Sequence, residues 1–129
     1  AEAFDAAELA FGVSELFFRN SEFQRCISVS SYSLSESGIS TSSVDGMFAR
    51  GKLLLARASA NLAINEIDAA ANDACDATTI LLEGNQKALR RDICVDICAA
   101  VSIASIALGS LKQVKRGEHL LQSVFTHVR

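Results

Sequence analysis

Cys94 and Cys98 stand four residues apart, a spacing that puts two thiols on one face of a helix and, with a histidine, could hold zinc. No histidine accompanies them locally. His119 and His127 are eight residues apart, wider than the His-x-x-x-His pair of helical metal sites. The chain has no Cys-x-x-Cys pair. Arg50-Gly51-Lys52 falls inside a helical pattern rather than after a strand, so it makes neither a phosphate loop nor a dinucleotide fingerprint. Asp73 and Asp76 read as a solvated helix face. The expectation is a protein with no catalytic centre, no metal site and no cofactor, and so not an enzyme.

Two small basic groups stand out. Lys87, Arg90 and Arg91 fall at the start of a long predicted helix, where positive charge opposes the helix dipole; this marks them as an alternative basic surface. Lys112, Lys115 and Arg116 form the other. Neither group is interleaved with aromatic residues, and the net charge is −3, so nucleic acid is not an expected partner. Charge is uneven along the chain. The first 45 residues carry seven acids against Arg19 and Arg25, whereas the last 20 carry Lys112, Lys115, Arg116 and Arg129 against Glu118. An acidic start and a basic end could stack head to tail or meet different partners; ordinary solvated faces account for the same pattern.

The four cysteines are Cys26, Cys75, Cys94 and Cys98. Cys26 and Cys75 stand among Ile27, Val29, Ala74 and Ala77, and the spacing of Cys94 and Cys98 suits one buried helical stripe. Small buried thiols are common in cores, so the reading is four free cysteines in a reducing, intracellular compartment, either cytoplasm or an organelle interior. No signal or transit sequence is read. The uncharged run from Ile97 to Leu111 is too short for a bilayer and follows Asp96, so it reads as a buried helix, not a membrane span. The first residue is Ala1, not methionine, which fits a processed or trimmed chain or a piece of a longer protein.

Positioning elements are all helical. Half of the residues are hydrophobic and none is proline, which would cost about 3 kcal/mol inside a helix. Apolar periodicity predicts six helices: Glu2 to Arg19; Glu22 to about Ser37, capped by Ser21 and ended by Gly38; a third capped by Ser42 or Ser43 and ending near Asn61; a fourth through Ile67 closed by Gly84; a fifth capped by Asn85, from Gln86 to Leu111; and Val114 to Val128. They pair into three hairpins, about 2–37, 43–83 and 86–128, in one domain.

The hairpins share a spacing. Val13-Ser14, Phe17, Phe23, Cys26 and Ser33 in the first correspond to Ala104-Ser105, Leu108, Val114, Gly117 and Val124 in the third. Ile67, Ala70 and Ala77 repeat the second half in the middle hairpin. Its first half fits if about two extra turns lie between Gly51 and Ile67.

This pattern resembles the tetratricopeptide repeat, which places a small residue midway along its first helix, a large one a turn later, another in the turn, and small residues on its second helix. The match is most specific in the first hairpin. It departs from the family in having serine at the mid-helix position and no closing proline. The resemblance implies three hairpins stacked as a right-handed superhelix whose first helices line a concave groove. By position, that groove would present Glu8, Phe11, Glu15, Phe18 and Arg19, then Asp45, Phe48, Lys52 and Leu55, then Ala99, Ser102, Ile106 and Gly109. Phe11 and Phe18 also read as core. The family's clamp for chaperone C-terminal carboxylates is not expected, because Phe11 and Glu15 occupy its places. The implied function is an adaptor or scaffold binding a helical or extended peptide of another protein. The alternative is a helical-bundle small-ligand or enzyme-inhibitor module. The two-disulfide plant inhibitors fit poorly, with Cys26 alone in the first half of the chain.

Overall fold

A computed structural model of the chain describes residues 2–36 and 42–128. Six helices follow one another: α1 (Glu2–Arg19), α2 (Phe23–Glu36), α3 (Val44–Ala63), α4 (Ile67–Lys87), α5 (Arg91–Ser110) and α6 (Val114–Val128). No strand occurs among the described residues. Gly38, expected to end the second helix, lies outside them.

Three turns close the α1–α2, α3–α4 and α5–α6 hairpins, and they have the same geometry. Ser21, Asn65 and Lys112 adopt φ of 61°, 65° and 58°. In each turn the N–H of that residue donates to the carbonyl three residues back: Phe18, Leu62 or Gly109. The next N–H, of Glu22, Glu66 or Gln113, donates to the carbonyl five back: Phe17, Asn61 or Leu108. This is the Schellman closure, built without glycine. Ser21 is therefore the left-handed turn residue, and Glu22 occupies the cap position expected of Ser21. Asn65 explains how the third helix ends without a glycine, since asparagine tolerates this conformation better than most residues.

The turns fix a common register. Ser14 corresponds to Ala58 and Ser105, and Cys26 to Ala70 and Gly117. The middle hairpin therefore needs no extra turns: Ala58, not Gly51, holds its mid-helix position, and Ala58 is fully buried against Ala74 and Ala104. Gly51 makes a second close crossing two turns earlier. A Cβ there would stand 2.5 Å from Leu81 Cδ2, and one at Gly84 would stand 2.7 Å from Phe48 Cε1. The pairs Gly51–Leu81 and Phe48–Gly84 advance in opposite directions along α3 and α4, so the hairpin is antiparallel.

Gly84 does not close α4; it is there because the Phe48 ring leaves no room for a side chain. The helix runs on to Lys87, and Asn85 is buried within it. Asn85 still serves the following helix, because its Oδ1 accepts the Arg90 N–H at 3.0 Å. At the start of α3, Ser43 Oγ accepts the Gly46 N–H at 3.1 Å, as expected of a serine cap.

The core follows the hairpins. In the first, Ser14, Cys26 and Ser30 are fully buried; the Ser14 and Ser30 hydroxyls lie 3.1 Å apart, and Ser30 donates to the Cys26 carbonyl at 2.7 Å. The main cluster joins Leu54, Leu55, Ala77, Leu81 and Leu82 to Ile93, Ile97 and Ala100. On α5 the buried stripe is Ile93, Ile97, Ala100, Ala104 and Ala107. Cys94 is only half-buried and Cys98 is exposed, so the stripe expected of them lies one residue earlier. Ser105 is exposed too, and its neighbour Ala104 meets the core. By length and composition α5 is apolar enough to cross a membrane; here it packs on α3, α4 and α6.

Asp73 is the largest departure from the sequence reading. It is 7% exposed, not solvated. Arg57 donates to both of its oxygens at 2.8 Å, Asn61 Nδ2 donates to Oδ2 at 3.1 Å, and Arg57 Nη1 reaches Ser31 Oγ at 3.2 Å. One ionic network thus ties α2, α3 and α4 together.

Candidate functional site

Among the described residues α1 packs on α2 and α3, whereas α3 packs on α4 and α5; α1 and α5 do not pack on each other. The space between them, floored by α3, is a depression of about 190 Å³. Phe11, Glu15 and Phe18 line it from α1, Leu55, Ala56 and Ser59 from α3, and Asp96 and Ala99 from α5. The turn register explains the convergence. Phe11 and Leu55 hold corresponding positions, as do Glu15 and Ser59, so successive first helices bring the same face to one place.

Phe11 and Phe18 play different parts. Phe11 is half-buried and packs against Ala7, Ala49 and Leu53 on one side and Cys26, Ala56 and Ala60 on the other. It is both core and wall. Phe18 is 36% exposed and stands edge-on to Phe23, with ring centroids 5.5 Å apart. Lys52 Nζ lies 5.7 Å from the Phe11 ring centroid and 3.9 Å from Asp92 Oδ2, so its charge is already engaged beside the depression.

The rim is acidic. Glu15 makes a loose ion pair with Arg19 at 3.8 Å, both exposed. Asp96 is half-buried, and no cation is in ion-pair contact with it among the described residues. Burial raises its pKa above the ordinary aspartate value, and the nearby negative charges of Asp92 and Glu15 add to this; Lys52 and Arg90 act the other way.

Other expected groove residues lie elsewhere. Phe48 is 3% exposed and belongs to the core, between Gly84 and the Arg90 guanidinium 5.1 Å from its ring centroid. Glu8 and Asp45 are exposed outside the depression, as are Ser102, Ile106 and Gly109 beyond Ala99. The alternative basic surface is divided. Lys87 closes α4, where its charge favours the helix dipole rather than opposing it, and Arg90 and Arg91 begin α5. Arg90 is held by Asp92 through contacts of 3.1 and 2.6 Å, which leaves less net positive charge than the sequence promised. Asp96, Ala56 and Ser59 were missed. Ser59, one turn after Leu55, corresponds to Glu15 only once the α3–α4 turn has set the register.

A larger depression of about 360 Å³ lies between α3 and α4, lined by Met47, Arg50, Leu54, Asp76, Thr79, Ile80 and Glu83. Its charges are mixed, and it lacks the aromatic wall. No three His, Cys, Asp or Glu residues gather as metal ligands among the described residues. The His127 side chain lies outside them. All four cysteines are free, so the two-disulfide inhibitor framework is not formed. No family model, no curated protein and no solved structure matches the chain.

Proposed function

We propose that the chain is a tetratricopeptide-like interaction module, its hairpins stacked as a right-handed superhelix, which binds a peptide of another protein between α1, α3 and α5. The convergence of Phe11, Phe18, Leu55 and Ala99 beneath Glu15 and Asp96 carries this reading. A cavity of roughly 150 Å³ takes up a benzene-sized group, so the depression suits one large apolar side chain. The two carboxylates favour a lysine or arginine next to it. In this reading the chain is an adaptor or scaffold in a reducing compartment. It is not an enzyme, needs no cofactor, does not bind nucleic acid, and uses α5 as a core helix rather than a membrane span.

Selection from a random peptide library on the immobilised chain tests the proposal. Enriched peptides should pair an aromatic or branched residue with a lysine or arginine. Phe18→Ala should weaken their binding by about 1–2 kcal/mol while the melting temperature holds. Lys52→Glu should change affinity without unfolding. Absence of enrichment, or normal binding by both folded variants, places the partner surface elsewhere, with Lys87, Arg90 and Arg91 next in order.

A further inference from the structure

The lining of the depression between α1, α3 and α5 restricts the chemistry of what it can hold. Phe11, Glu15 and Phe18 follow one another at helical spacing, so α1 turns a ring, a carboxylate and a second ring to one side. Asp96 and Ala99 face them from α5, and Leu55, Ala56 and Ser59 make the floor. Among the described residues the charged members of this lining are Glu15 and Asp96, both acidic. No side chain in it has a donor to spare. The Ser59 hydroxyl donates to the Leu55 carbonyl at 2.9 Å, and ionised carboxylates only accept. An anion or a neutral acceptor would meet nothing but acceptors and apolar surface. A cation would meet two carboxylates and two rings.

The chain's own cations leave these carboxylates largely unanswered. Lys52 lies over the Phe11 ring, which shows that this ring accepts positive charge, but its Nζ pairs with Asp92 at 3.9 Å. Arg90 is spent on Asp92 too. Glu15 has its loose 3.8 Å pair with exposed Arg19, and Asp96 has no ion-pair partner among the described residues. Burial raises the Asp96 pKa, and the negative charge of Glu15 is near enough to add to this. A bare lysine ammonium is strongly hydrated and brings three donors, for which Leu55, Ala56 and Ala99 offer no side-chain acceptor. Methylation keeps the charge and replaces the donors with apolar surface. Aromatic faces favour such cations, and a depression of about 190 Å³ that admits a benzene-sized group admits a trimethylammonium head.

We infer that the side chain this depression takes is a methylated lysine of the partner peptide, its ammonium head among Phe11, Phe18, Glu15 and Asp96. The inference rests on the peptide-binding reading above and narrows it. One side chain meets both demands of the site, an apolar surface of the right bulk and a positive charge. The long flexible stem of lysine lets the head enter while the peptide backbone stays at the rim. A choline headgroup shares the cation, but its phosphate would be repelled by Glu15 and Asp96.

Titrations of the isotope-labelled chain followed by NMR test this. The probes are a short peptide with a central trimethyllysine, the same peptide with plain lysine, and the same peptide with the uncharged tert-butyl isostere. Phosphocholine is the fourth. The trimethyllysine peptide should shift the Phe11 and Phe18 ring signals and bind about tenfold more tightly than the lysine peptide or the isostere. Phe18→Leu keeps apolar bulk without the ring, and Asp96→Asn keeps the shape without the charge. Each should shrink the margin over the isostere, with circular dichroism melts confirming the fold. An isostere that binds as tightly overturns the inference. So does a margin unchanged in both variants, or phosphocholine as the tightest probe. If library-selected peptides bind the depression and the trimethyllysine peptide neither binds nor displaces them, the inference fails and the peptide reading stands. If neither binds, both fail.

Discussion

Arg57 and Asp73 meet through two parallel hydrogen bonds of 2.8 Å across the α3–α4 hairpin, with the carboxylate almost fully enclosed. Removing one member of such a pair leaves the other charge without compensation. Asp73→Ala is therefore expected to destabilise the fold by about 3 kcal/mol or more. Urea unfolding followed by circular dichroism measures it. A loss under about 1 kcal/mol would mean that water replaces the carboxylate and that the pair behaves like a surface ion pair.

Two helical glycines should respond in opposite ways to alanine. Gly12 has nothing within 4 Å of a built Cβ, so Gly12→Ala should stabilise α1 by about 1 kcal/mol. Gly51→Ala gains the same helical preference but drives the buried Leu81 from its place, with Cγ as well as Cδ2 inside 3 Å. Its net effect should be a loss of about 1–2 kcal/mol. Thermal melts of the two variants side by side decide the matter.

Ser14 sits at a helix crossing with no exposed surface and its hydroxyl against Ser30. Ser14→Leu should overfill the α1–α2 contact and cost about 1–3 kcal/mol. An unchanged melting temperature would show that the two helices can part without loss.

Asp96 gives a pH signature. Its folded pKa lies above the unfolded value, so the native state holds more protons than the unfolded chain across the interval between them. Stability from this group is present below the ordinary aspartate range and is lost as pH rises through the raised value. Asp96→Asn should remove that slope and raise stability at neutral pH, while weakening the preference for a cationic peptide. Melts from pH 3 to 8 on both proteins check the first part, and peptide titrations check the second. A variant less stable than wild type at pH 7 would show that the carboxylate is held by favourable contacts instead.

Much of the helical order was readable in the residues, because apolar periodicity needs no partner to be seen. The ends of α1 and α6 match their expected bounds for that reason. Gly84 and Asn85 misled: a glycine followed by asparagine reads as a stop and a cap, but here the Phe48 ring dictates the glycine. The same spatial fact hid Phe48, whose burial under Arg90 comes from a segment more than 40 residues away. Phe11, Glu15 and Phe18 were legible as one face of α1; Leu55 was reached through a middle register set on Gly51, whereas the α3–α4 turn sets it on Ala58 and pairs Leu55 with Phe11. Asp96 was not, since its neighbours in sequence made it look like the polar flank of an apolar run. Arg57 and Asp73 could be joined only once the α3–α4 turn had been located.

Each helix touches near neighbours along the chain, and this gives the molecule a profile of local opening rather than a single resistance to unfolding. Among the described residues α2 packs only on α1 and α3, and α6 only on α4 and α5. The first or the last hairpin can therefore fray while α3 and α4 keep most of their contacts, the behaviour expected where each unit touches only its neighbours. Amide protons of α3 and α4 should exchange slowest, those of α6 fastest, and α5 between them. A partner that covers an end would slow exchange at that end first, with the protection fading hairpin by hairpin toward the other.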